Sequence, residues 1–148
     1  MTTHQEAFEQ QLFQLIPQTK NLGIQIKHLG DNEIVVNGAY QLNKNHLDIV
    51  FGGSIAAISI TTAWSFLQHK IQQAGLVGHL VIKQQEIAFL LPVKSDFVCT
   101  ATLQSQDDWS SLVERYQQRG RAKITVTAQI TCQSKITSTF QGIFVLYQ

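Results

Sequence analysis

The chain has 148 residues, 44% hydrophobic and 14% charged, with a formal net charge of +1. That length suits one domain with its own core (residues 1–148), and the plentiful apolar residues exclude a disordered chain. The near-neutral balance excludes a general nucleic-acid or membrane-surface binder, which carries an excess of Lys and Arg.

Residues Glu6 to Ile16 place Phe8, Leu12 and Leu15 at helical spacing, with Pro17 as a stop, so an N-terminal helix is predicted over about 5–16. The stretch Met1 to Gln11 is polar and Gln-rich, without a secretory pattern, and a cytoplasmic protein is expected. Gly23 to Leu29 alternates as a strand, Asp31-Asn32 makes a turn, and Glu33 to Tyr40 reads as the second arm of a hairpin. A polar, Asn-rich loop follows from Gln41 to Asp48.

A long helix is predicted next, over about 52–74, with Gly75 as its natural stop. Its apolar residues, Ile55, Ala56, Ile58, Ile60, Ala63, Phe66 and Leu67, cover most of its circumference, so protein must surround it. The uncharged run Ile49 to Leu67 is long enough to raise a membrane span. Gly52, Gly53, Ser54, Ser59, Thr61, Thr62 and Ser65 load it with polar and flexible residues, and no Lys/Arg cluster flanks it, so no span is predicted.

The remainder reads mostly as strands: His79 to Leu91, Asp96 to Gln104, Arg121 to Gln133 and Lys135 to Tyr147. Ala122, Ile124, Val126, Ala128, Ile130 and Cys132 alternate with Lys123, Thr125, Thr127, Gln129 and Thr131, as in an antiparallel sheet with one buried face. A tight turn at Ser134 joins the last two strands. Asp108 to Gln118 reads as a short helix ended by Gly120. A curved antiparallel sheet wrapped around one central helix satisfies this order, an α+β architecture, and a two-fold dimer would shield the rest of the helix.

The chemistry is expected where the loop meets the long helix, at Asn43, Asn45, His46, Asp48, Phe51, Gly52, Gly53 and Ser54. The first amides of a helix have no internal partner, and with the dipole they suit a carbonyl oxygen gaining negative charge. The same glycines serve equally as a tight entry into the helix, with Ser54 or Asp48 as cap. Asp48 is the nearest carboxylate to act as a base, or a loop acid held by amides; Asn43 and Asn45 orient water or close turns. Thr61 and Thr62 either bind a carbonyl or bond their own helix backbone. His46 reads as a solvated loop residue, and His4, His28, His69 and His79 have no metal spacing, so no metal is predicted. Cys99 and Cys132 read as small buried side chains. Trp64 packs the core or lines a ligand tunnel. Arg115, Arg119, Arg121 and Lys123 form the one basic cluster, suited to phosphates, to an acidic carrier, or to the end of a helix.

The Asn-x-Asn loop, Phe51-Gly52-Gly53-Ser54, the small-residue helix with Trp64, the strand carrying Ile87-Ala88-Phe89-Leu90-Leu91-Pro92, and Arg119-Gly120-Arg121 together resemble the hotdog-fold thioesterase domain of YiiD-type proteins. The resemblance covers most of the chain. It implies a hotdog fold, acyl thioesters of coenzyme A or acyl carrier protein as substrates, and paired sites in a homodimer, possibly a dimer of dimers. It implies no cofactor apart from the coenzyme A or phosphopantetheine arm of the substrate. Many hotdog thioesterases have His-Gly-Gly where this chain has Phe51-Gly52-Gly53, and a carboxylate about two turns into the helix, where this chain has Ser59 to Thr62.

The site then reads as Asp48, Asn43, Asn45 and Gly53 for catalysis, and Phe51, Gly52, Ser54, Thr61, Trp64, Arg119 and Arg121 for substrate. Hydrolysis is the first expectation. Decarboxylation of a malonyl thioester on the same donors, or acyl-CoA binding without turnover, are the alternatives.

Overall fold

The computed structural model describes residues 1–148. The strands are β1 (Gln25–Leu29), β2 (Glu33–Gly38), β3 (His79–Phe89), β4 (Phe97–Thr102), β5 (Arg121–Cys132) and β6 (Lys135–Tyr147). They form one antiparallel sheet in the order β1-β2-β4-β5-β6-β3. The helices are α1 (His4–Leu15), the single turns α2 (Gln18–Asn21) and α3 (Tyr40–Asn43), the long α4 (Gly52–Gln73) and α5 (Gln106–Arg119).

The sheet curves around α4, which touches β2, β3, β4, β5 and β6. The alternation of β5 dictates this, because Ala122, Ile124, Val126, Ala128, Ile130 and Cys132 are all buried. Phe140, Phe144 and Leu146 of β6 join them, and α4 answers with Ile55, Ile58, Ala63, Phe66, Leu67 and Ile71. Each Val, Leu, Ile or Phe among them, removed from water, contributes about 1.5–3 kcal/mol. The hotdog architecture expected from the sequence is the one observed. No helix is long and apolar enough to cross a membrane.

The two edges of the sheet differ. At β1, α1 packs alongside with Phe8 and Leu12 buried, its start fixed by a capping box between Thr3 and Glu6. At β3, an eleven-residue strand pairs with β6 on one side and with nothing on the other. One stripe of α4, Gly53, Ala56, Ala57, Ile60 and Trp64, is also incompletely covered, so the enclosure predicted from its apolar circumference is partial in one chain.

Several boundaries move for local reasons. The first strand begins at Gln25 because Gly23 turns the chain with φ 63°. The Asn-rich loop contains α3, whose last residue, Asn43, is buried and donates to Leu22 O and Ala39 O, both at 2.8 Å. Helix α5 starts two residues earlier than predicted, and Gly120 ends it at φ 69°. Strand β3 stops at Phe89, since the amides of Leu90 and Leu91 both turn to Thr137 O. Gln133 and Ser134 take φ 51° and 65°, the left-handed pair of a two-residue hairpin turn.

Candidate active site

The start of α4 is held in place by backbone bonds on both sides. Phe51 N donates to Asn43 O at 2.8 Å, and Val50 N to Val93 O at 2.9 Å. Phe51 takes an extended conformation at the N-cap position and offers no side-chain cap. Its carbonyl accepts from Ser54 N at 2.9 Å and Ile55 N at 3.1 Å. The amides of Gly52 and Gly53 are left without a protein acceptor. Two free N–H groups at the positive end of a 22-residue helix form a donor pair for an oxygen that becomes negative.

Aromatic rings flank this pair. A Cβ at Gly53 would lie 2.3 Å from the Phe51 ring, which folds back over the glycine, and a Cβ at Gly52 would lie 3.5 Å from the Phe89 ring. A side chain at 53 would therefore have to displace the exposed Phe51 ring. Beside the helix start is a cleft of about 340 Å³, lined by Ile49, Val50, Ile55, Leu90, Leu91 and Val93 together with Gly52, Phe89, Pro92, Asn45 and Ser138. A larger hollow of about 590 Å³, bedded on threonines and glutamines, involves none of the helix-start residues.

The loop residues divide. Asn45 lines the cleft, and its Oδ1 accepts from Leu47 N at 2.9 Å, closing an Asx turn. Asn43 is buried with both amide hydrogens committed to carbonyls, so its side chain braces the loop. Asp48 has a left-handed backbone, φ 57°, which Asp tolerates better than most residues. Its carboxylate is 77% exposed, lies 3.4 Å from Lys44 Nζ, and is not part of the cleft lining. His46 is exposed on the same loop.

Ser54, in the first turn of α4, is buried. Thr61 and Thr62 each donate to the carbonyl four residues back, at 2.7 Å, the self-bonding role weighed for them above. Trp64 Nε1 donates to Leu80 O at 3.0 Å and ties the helix to β3 about 18 Å from Gly52. Arg121 pairs with Tyr147, and Tyr147 with His79, at the end of β3 remote from Phe89. Arg119 and Arg121 thus lie at the opposite end of β3 from the helix start of their own chain. Cys99 is fully buried, and that burial pushes its thiol up to about 11, outweighing hydrogen bonds from Thr62 and Ser59. It is inert packing.

Sequence reasoning missed the wall formed by Phe89, Leu90, Leu91, Val93 and Ser138. The signal was there: from Ile87 to Val93 the apolar residues stop alternating and run into Pro92.

The curved antiparallel sheet wrapped around α4 is the hotdog fold. The chain matches the family described as "Putative thioesterase (yiiD_Cterm)" over residues 5–148, and it belongs to that family. Among solved structures, it is similar to the putative thioesterase from Shewanella oneidensis, at 24% identity and TM-score 0.82, covering 97% of each chain. It is similar to a probable thioesterase from Pseudomonas aeruginosa, at 16% identity and TM-score 0.85, covering 99% of this chain and 97% of that one. A protein of unknown function from Chlorobaculum tepidum aligns at 16% identity and TM-score 0.90, over 99% and 98%. At such identities the three structures speak for the fold alone. A search of curated proteins finds no match.

Proposed function

We propose that this thioesterase hydrolyses acyl thioesters of coenzyme A or acyl carrier protein at the start of α4. The observation that carries the reading is the pair of unpartnered amides at Gly52 and Gly53, opening on an apolar cleft. The acyl carbonyl oxygen points at these amides, which stabilise the charge it gains as water attacks. Asn45, at the cleft, orients that water. Asp48, the nearest carboxylate in sequence though outside the cleft lining, takes its proton and returns it to the sulfur as the C–S bond breaks, and the thiol and carboxylic acid leave.

A homodimer fits this reading. The free edge of β3 offers a row of unpaired backbone groups, and the partly uncovered stripe of α4 lies on the helix that the sheet encloses. A second chain would cover both. The arm of coenzyme A or phosphopantetheine arrives as part of the substrate, and no other cofactor enters the scheme.

One observation favours a second reading. No carboxylate lines the cleft, and decarboxylation of a malonyl thioester needs enolate stabilisation but no base to begin. Asp48→Asn separates the two, with products identified by mass spectrometry. Hydrolysis predicts free thiol from the native protein and a loss of about 100-fold or more in the variant. Acetyl thioester formed from malonyl thioester, undiminished by the substitution, would establish decarboxylation instead. Ligand binding without any product would leave a non-catalytic acyl-CoA binder.

A further inference from the structure

The cleft beside Gly52 has a composition that selects its occupant. Its walls come from two segments that the backbone locks. Leu90 and Leu91 are held by their amides on Thr137 O at 2.8 and 3.1 Å, and Val50 is tied to Val93 O at 2.9 Å. Ile55, one turn into α4 and 2% exposed, forms the floor. Seven of the eleven lining residues are hydrophobic, the polar side chains are Asn45 and Ser138, and none carries a charge. A carboxylate placed there would lose its water without gaining a cation, and that desolvation is costly.

We infer that the cleft holds the acyl chain, and that the protein selects uncharged aliphatic acyl groups of medium length over acetyl and over acyl groups ending in a carboxylate. This rests on the hydrolase reading for the position of the carbonyl, since Gly52 belongs both to the donor pair and to the cleft wall. The volume sets the length. At roughly 30 Å³ per unit the size of a water molecule, 340 Å³ filled completely would take about eleven carbons, and the open mouth of the cleft reduces that to about six to ten. The exposed Phe89, Leu90 and Leu91 are the rim that such a chain would remove from water.

The test measures binding and turnover separately. Calorimetry with non-hydrolysable S-alkyl-CoA thioethers, from ethyl to dodecyl, should show affinity rising by up to about fourfold per methylene and levelling near the octyl to decyl compounds. A thioether ending in a carboxylate should lose most of that gain. Leu91→Asp, at an exposed position where folding is tolerant, should flatten the dependence on length. Ile55→Ala, with its fold checked by circular dichroism, should move the levelling point to longer chains.

Affinity independent of chain length, or equal for the carboxylate-ended compound, would overturn the assignment even if hydrolysis is observed. Length-dependent binding without hydrolysis of any matching thioester would uphold the cleft and defeat the hydrolase reading.

Discussion

One turn before its C-terminal end α4 is enclosed at His69, Lys70 and Ile71. His69 is 1% exposed, its ring 5.3 Å from His4 and edge-on to Phe8, and Lys70 is buried with Nζ 2.9 Å from Asp31 O and 5.1 Å from the Trp109 ring centre. At its N-terminal end the same helix has two free amides, Phe51 57% exposed, and a rim of half-open apolar side chains. The difference separates two jobs along one rod. The closed end anchors α1 and α5 and contributes stability, while the open end forgoes capping and burial, the usual mark of a surface kept for a ligand.

Substitutions at each end should separate the two properties. Gly53→Val has the largest expected effect on activity. The branched side chain must displace the Phe51 ring and crowd the amides, so thioester hydrolysis should fall by about 100-fold or more. The ring is exposed and able to swing aside, so the melting temperature measured by calorimetry should move little. Leu67→Ala should do the reverse. It empties a fully buried site near the closed end and should lower unfolding free energy by about 2–5 kcal/mol in urea titrations. Turnover per folded molecule should persist under stabilising conditions.

A pH effect belongs to the closed end. Burial, then the neighbouring His4 and Lys70, holds His69 below its ordinary value of 6.5, while Asp31 opposes. The unfolded chain therefore binds the proton first. Stability is present above about 6.5 and declines as pH falls through the window beneath it. Urea midpoints across that range should show the decline, and His69→Phe should flatten it. The smallest expected effect is at the loop. Lys44→Ala removes an exposed pair with Asp48 and should change stability by no more than about 0.5 kcal/mol.

How much of this was legible in the sequence depended on whether the signal was local. The alternation of β5 and β6 and the apolar circumference of α4 are periodic, so the sheet and the helix it wraps follow directly. The start of α4 at Gly52-Gly53 was readable because a diglycine ahead of an apolar run is a local signal of helix entry. The separate fates of Asn43 and Asn45 were not readable, since they depend on Leu22 O and Ala39 O reaching one of them. Arg119 and Arg121 were assigned to substrate as part of the one basic cluster, whose charge suits phosphates. Strand register, which no local pattern reports, sets them at the far end of β3. The cleft-wall residues Phe89 to Leu91 read as more strand, because apolar residues leaving a sheet look like those inside it.

The central claim is that the open end of α4 delivers water to an acyl thioester. The most direct test is mass spectrometry of the products formed from octanoyl-CoA in ¹⁸O-labelled water, with malonyl-CoA in parallel. The account predicts free coenzyme A with octanoic acid carrying one labelled oxygen, and the loss of both in Gly53→Val. Unlabelled acid, acetyl-CoA from the malonyl substrate with no free thiol, or no product from either would contradict it.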